Sequence, residues 1–187
     1  WSDAAGACCA TWRAATSSAT EPSSQSWACV TDAAAARMIE PGTEAPDFTL
    51  RNQDGEKVCL GDFAGRQLVL AFYPLDFSPV CTDQLSLYQE VLGELERKGA
   101  SLVGISVDSS YCHAAFRERL NLTMPLLADF KPKGAVSKAY GAWIDEADHG
   151  NRSLVLVDED GVVAWSHAAP TPLEIPGANL IFDALSA

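Results

Sequence analysis

Positive charge is scarce in this sequence. Its 187 residues hold 13 Lys and Arg against 25 Asp and Glu, a formal net charge of −12. A surface that acidic repels phosphate backbones and anionic lipid headgroups, which disfavours a nucleic-acid partner and a peripheral membrane role. Long apolar runs are missing too: the longest clean one, Leu68 to Tyr73, is far too short to cross a bilayer. None of the six cysteines forms a C-x-x-C pair, so a dithiol carrier lacks its motif. His113, His149 and His167 are singles, and Cys112 stands directly beside His113, so no metal-ligand spacing occurs. Gly61, Gly65 and Gly93 are scattered and make no nucleotide loop. Neither a metal nor a bound cofactor is expected.

What is present suits one folded domain. Hydrophobic residues make up 48% and charged residues 20%, ordinary values for a chain long enough to bury a sizeable core. An even number of cysteines would suggest disulfides in a secreted chain. Here Cys8, Cys9 and Cys29 precede Met38, while Cys59, Cys81 and Cys112 are widely spaced singles. A domain this size needs no staples, so the reading is a reducing compartment, the cytoplasm, and the question becomes which thiol is reactive.

Residues 1–37 differ from the rest. They hold three of the five Trp and twelve Ala, with Ser and Thr clusters and no strand or helix periodicity. They are expected to be a disordered or non-native extension, with Met38 as the natural start and residues 38–187 as the domain. A targeting peptide is the competing reading.

Beyond Met38 the pattern becomes regular. Phe48 and Leu50 alternate with polar residues up to the turn Asn52-Gln53-Asp54-Gly55, and Lys57 to Leu60 follows as the second arm of a hairpin. Gln67 to Tyr73 has the continuous apolar character of a buried strand. Leu85, Tyr88, Leu92 and Leu95 recur at steps of 3, 4 and 3, one stripe on a helix that Gly99 closes. Leu102 to Val107 is the next strand, so the unit reads as a parallel crossover. A second helix runs from Asp108-Ser109-Ser110 toward Leu120, and a short one covers Gly134 to Tyr140. Ser153 to Val157 and Val162 to His167 flank the turn Asp158-Glu159-Asp160-Gly161, and a last helix spans about Ala178 to Leu185. Together these describe a mixed α/β layer fold. The cluster Asp145-Glu146-Asp148 reads as a solvated loop.

The chemistry concentrates where the Gln67–Tyr73 strand gives way to a helix. Cys81 falls in that helix's first turn, with Pro79 marking the boundary. Free N–H groups and the positive helix end favour a thiolate, the nucleophilic form. Open α/β sheets also place ligands at the carboxyl ends of strands. Position alone leaves a second reading standing, a free cysteine packed as a small hydrophobe.

The surrounding residues favour the reactive one. Pro74-x-x-x-Ser78-x-x-Cys81 resembles the active-site signature of the peroxiredoxins, Pro-x-x-x-Thr/Ser-x-x-Cys. Ala45-Pro46-Asp47-Phe48, Gly104 to Ser109, Pro125 to Asp129 and Arg152 to Asp158 resemble further segments of that family, in the expected order. The resemblance implies a thioredoxin-like fold, a central mixed sheet flanked by helices. It implies a thiol-dependent peroxidase acting on hydrogen peroxide and organic hydroperoxides. Cys81 would be the peroxidatic cysteine, passing through a sulfenic acid. Ser78 would hydrogen-bond the peroxide, Pro74 would shield the sulfenate from water, and Arg152 would point at the cysteine. A guanidinium there stabilises negative charge on sulfur and leaving oxygen. Without the resemblance, Arg152 would read as a solvated strand-end cation. Gln84 departs from the Glu or His of many relatives. The implied partners are a thioredoxin-like or low-molecular-weight thiol reductant and a second copy, as a homodimer.

Two routes of resolution remain open. No cysteine follows Cys112, and Ser86 stands where one branch keeps its resolver, five residues after the peroxidatic cysteine. Cys112 is the candidate resolving cysteine, since Cys112-His113 at a helix start is expected to be exposed and activated. Bridging it to Cys81 requires Cα atoms within about 7 Å and therefore local unfolding. The other route is a one-cysteine enzyme reduced by an external thiol. Cys59 reads as packing. The alternative from another class is a thioredoxin-fold redox-sensing or chaperone module without turnover.

Overall fold

The computed structural model describes residues 37–186. The extension ending at Arg37, with Cys8, Cys9 and Cys29, lies outside the described residues apart from Arg37 itself. Met38 and Ile39 already pack against the domain's core, and the Ile39 N–H donates to the Tyr140 carbonyl at 3.1 Å.

A seven-stranded sheet forms the centre. Strands β1 (Thr49–Asn52), β2 (Lys57–Cys59), β3 (Gln67–Phe72), β4 (Ala100–Ser106), β5 (Leu126–Ala128), β8 (Ser153–Val157) and β9 (Val163–Ala168) lie in the order β2-β1-β5-β4-β3-β8-β9. The middle strands β5, β4 and β3 are parallel, while β1, β8 and β9 pair antiparallel to their neighbours. Strands β6 (Trp143–Ile144) and β7 (His149–Gly150) make a separate two-stranded hairpin, and the Asp145-Glu146-Asp148 cluster forms its turn. The helices are α1 (Pro79–Arg97), α2 (Ser110–Leu120), α3 (Ala135–Ala139) and α4 (Ala178–Leu185). Among the described residues no helix is long and apolar enough to cross a membrane.

Two cores cover the two faces of this sheet. Successive side chains of a strand point to opposite faces, so β3 gives Val69 and Ala71 to one core and Leu68, Leu70 and Phe72 to the other. Strand β8 divides likewise, with Leu154 and Leu156 on one side and Val155 and Val157 on the other. Burial on both faces is why these strands read as unbroken apolar runs. Helix α1 lays Cys81, Gln84, Leu85, Tyr88, Leu92 and Leu95 onto the first core, and Ile181 of α4 joins them. The second core is closed by Phe48, Leu60 and Tyr140, whose hydroxyl donates to the Pro46 carbonyl at 2.8 Å.

Candidate active site

The chain reaches Cys81 through a loop fixed at several points. Strand β3 ends, and Tyr73 still donates its N–H to the Ile105 carbonyl at 3.1 Å. Pro74 is buried, and Phe77 adopts a φ of +60°. That left-handed conformation is costly for a bulky side chain and marks a held, strained turn. Ser78 takes extended backbone as the N-cap and Pro79 occupies the first turn. Pro79 suits that place because its missing N–H would have no partner there anyway. The Ser78 carbonyl accepts from both the N–H and the hydroxyl of Thr82, each at 2.9 Å, while its own hydroxyl makes no capping bond. Cys81 sits three residues past that cap, fully buried, with no acidic residue in the helix's first turn.

One turn further along α1 a buried polar chain begins. The guanidinium of Arg152, at the threshold of β8, donates through Nη1 to Gln84 Oε1 and through Nε to the Pro172 carbonyl, both at 2.5 Å. Gln84 in turn donates to the Tyr88 hydroxyl at 3.4 Å, and that hydroxyl donates to the Pro176 carbonyl at 2.8 Å. Arg152 is only 2% exposed and Gln84 not at all. Arg152 is thus no solvated strand-end cation; it is brought to the Cys81 end of α1. Burial pushes the Tyr88 hydroxyl up to about 12, against a smaller opposing pull from Gln84 and from the Arg152 charge.

A second buried network ties the loop to α2. Asp76 accepts from the Tyr73 hydroxyl at 2.7 Å and faces His113 Nδ1 at 2.8 Å, and its own N–H donates to the Asp108 carboxylate at 2.8 Å. Asp108 is fixed in turn by the Ser106 hydroxyl at 2.8 Å. Tyr73 is held protonated, its hydroxyl raised well above the ordinary range by burial first and by the Asp76 charge next. The Phe77 and Phe116 rings pack with centroids 4.9 Å apart, adding an apolar contact between loop and helix.

This network corrects the expectation for Cys112. Its N–H donates to the Ser109 hydroxyl, which places it in α2's first turn, but its thiol is half-buried and His113 is wholly buried. Burial, then the charges of Asp76 and Asp108, push the Cys112 thiol up to about 12. The Cys112 thiol is therefore not activated, because Asp76 from the remote loop and Asp108 one turn before it both face it, and His113 is not exposed. Asp76, Asp108 and Cys112 place one donor atom each within 4.8 Å of one another, a grouping invisible to local spacing. Both carboxylates already accept protein hydrogen bonds. Cys59 is buried, in keeping with packing. Sequence reasoning singled out Pro74, Ser78, Cys81 and Arg152 and noted Gln84; it missed Asp76, Tyr88 and the two proline carbonyls. The signal for Gln84 and Tyr88 was present, since both fall on the buried stripe of α1 as polar groups in need of partners.

Comparison with known proteins places these features in a wider set. The model of the AhpC/TSA family matches residues 41–166. Alkyl hydroperoxide reductase E of Mycobacterium tuberculosis is 36% identical over 151 residues, covering 80% of this chain and 98% of that protein. Chloroplastic peroxiredoxin Q of rice (Oryza sativa subsp. japonica) is 36% identical over 128 residues, 68% of this chain and 58% of that protein. Among solved structures, the reduced 2-Cys peroxiredoxin of Plasmodium vivax superposes with a TM-score of 0.72 at 28% identity, over 79% of this chain and 80% of that one. AhpC of Mycobacterium tuberculosis shares the fold, with a TM-score of 0.71 at 21% identity over 81% of this chain and 93% of its own.

Proposed function

The chain belongs to the AhpC/TSA family of peroxiredoxins, thiol-dependent peroxidases with a thioredoxin-like fold, and we propose that Cys81 is the sulfur that carries the reaction. An antioxidant peroxidase is the function these relatives support, ahead of a redox sensor or chaperone without turnover. The observation that carries the assignment is that the Arg152 guanidinium is hydrogen-bonded to Gln84, one turn along α1 from the buried Cys81.

The chemistry follows from those groups. The Cys81 thiolate attacks the terminal oxygen of a hydroperoxide, an S–O bond forms and the O–O bond breaks. The departing oxygen leaves as hydroxide or alkoxide and takes up a proton, giving water or an alcohol and a sulfenic acid on Cys81. Negative charge moves from sulfur to leaving oxygen, and the helix N–H groups with Arg152 stabilise it. Ser78, whose hydroxyl is not spent on the helix cap, donates to the bound peroxide, and buried Pro74 keeps water from the sulfenic acid. A thiol reductant, thioredoxin-like or of low molecular weight, returns the two electrons, which suits a reducing compartment, the cytoplasm.

Direct reduction by an external thiol is the route favoured here, because the raised Cys112 thiol is a poor nucleophile in this conformation. Cys112 as an internal resolver is the second reading; it requires α2's first turn to release the Asp76 loop. A homodimer is supported by Leu75 at 41% and Phe77 at 51% exposure on the Cys81 loop, with Tyr111 and Phe130 exposed on nearby elements.

Mass spectrometry after one equivalent of peroxide tests both points. A sulfenic acid or mixed disulfide on Cys81 supports the one-cysteine route, and a Cys81–Cys112 disulfide supports the internal resolver. Oxidation that spares Cys81 overturns the assignment.

A further inference from the structure

Strand β4 runs past a gap toward its N-terminal end, opposite the end of the sheet from which the Cys81 loop leaves. Backbone groups of successive strand residues point to alternate sides. Ile105 turns its carbonyl toward β3, where the Tyr73 N–H meets it, and Gly104 turns its N–H toward the Pro125 carbonyl at 3.0 Å on the β5 side. By the same alternation Leu102 presents its N–H and C=O on the β5 side. Pairing with β5 begins only at Gly104, opposite Leu126. Among the described residues no protein group hydrogen-bonds Leu102 on that side, although the residue is only 2% exposed. Buried backbone groups left in this state are rare and call for a partner.

The gap is held open by side chains. Arg117 donates to the Thr123 and Met124 carbonyls at 2.7 and 3.2 Å, and Gln89 Oε1 accepts from the Thr123 N–H at 2.7 Å. These bonds draw the segment before β5 toward the helices and away from Leu102. A cavity of about 380 Å³ results, a volume suited to a small ligand. Leu92, Leu102 and Met124 give it an apolar wall, and the exposed Arg66 and Glu96 border it. Neither of those two is in an ion pair among the described residues. The mouth is open at Gly99, where an added Cβ would meet nothing within 4 Å.

These groups describe a ligand with an amide edge, an apolar side chain and one charge of each sign. Its carbonyl would accept from the Leu102 N–H and its own N–H would donate to the Leu102 carbonyl, as a neighbouring strand does. Leu92 and Met124 would cover an aliphatic side chain. Arg66 suits a carboxylate and Glu96 an ammonium group. We propose that this cavity binds a free di- or tripeptide with an aliphatic side chain, at a site separate from the peroxide chemistry.

The test titrates the isotopically labelled intact chain with alanyl-leucyl-alanine and reads its amide NMR spectrum. A second titration uses the same peptide acetylated at one end and amidated at the other. The Leu102 amide should shift with millimolar free peptide, and the capped peptide should bind roughly threefold more weakly or worse. Arg66→Ala and Glu96→Gln should each weaken the free peptide and leave the capped one unchanged. Thr123→Trp, which puts a large ring on the cavity lining, should abolish binding of both. A Leu102 amide that does not move overturns the proposal, as does equal binding of the two peptides or undiminished binding in Thr123→Trp. If Thr123→Trp fails to fold, the variants at the exposed Arg66 and Glu96 decide, and wild-type affinity in both counts against the site.

Discussion

The Asp76 carboxylate and His113 Nδ1 meet at 2.8 Å with neither side chain exposed, joining two segments 37 residues apart. One belongs to the loop that delivers Cys81, the other to the first turns of α2. A buried polar contact of this kind specifies one arrangement of those segments, because either partner alone would be left unsatisfied in a dry site.

His113→Ala should therefore destabilise the fold by on the order of 3 kcal/mol, read from urea unfolding, because a buried carboxylate keeps only its Tyr73 partner. The peroxide rate should fall with it, since the loop carrying Pro74 and Ser78 loses an anchor. His113→Asn, which restores an N–H donor, should recover part of both losses. Equal loss in the two variants would argue against the hydrogen bond as the cause.

Cys81→Ser should abolish peroxide consumption supported by a thiol reductant, while Cys59→Ala and Cys8→Ser should retain it. In native protein Cys112 should be alkylated far more slowly than Cys81 at pH 8, because its thiol is raised to about 12. Peptide mapping after a short iodoacetamide pulse gives the order directly. Faster labelling at Cys112 would contradict the electrostatics described above.

Alkaline pH should weaken the fold. Cys112 rises from 9.0 to about 12 and Tyr88 from 10.0 to about 12 on folding. Their neutral forms are favoured in the native state, so that contribution is complete below the unfolded values. Between about pH 9 and 12 the unfolded chain releases these protons first, and stability declines with each step. Urea midpoints measured across that interval should fall, and Tyr88→Phe should flatten part of the slope.

Gly104, in the middle of β4, has no room for a side chain. A Cβ there would stand 2.7 Å from Leu126 Cδ2 and 3.2 Å from Tyr73 Cε1. Gly104→Ala should cost about 1–3 kcal/mol by overpacking, measured by thermal or urea unfolding. Some peroxidase activity should go with it, since Tyr73 is the ring that hands its hydroxyl to Asp76.

Much of the fold was legible because the long elements carry strong periods. The stripe Leu85, Tyr88, Leu92 and Leu95 located α1, and the apolar runs located β3, β4 and β8. Strand β5, three residues long, and the two-residue strands β6 and β7 are too short for any period to register. The site divides in the same way. Pro74, Ser78 and Cys81 share one local segment, so spacing revealed them. Asp76 and His113, or Gln84 and Arg152, are joined only by the folded sheet, and no local pattern carries such a pairing. His113 was misjudged for that reason, since a helix-start histidine looks exposed until a carboxylate from another segment is seen to cover it.

Phe77, held at a φ of +60° between the Asp76 anchor and the start of α1, has a thermal consequence. A strained residue of this kind lowers the free energy of local opening by about 1–3 kcal/mol relative to a relaxed loop. The loop then opens more readily than a relaxed one with the same anchors would. On warming, peroxidase activity should fade before the circular dichroism of the strands begins to change, so the working temperature of the enzyme is set by the loop before α1 rather than by the melting of its core.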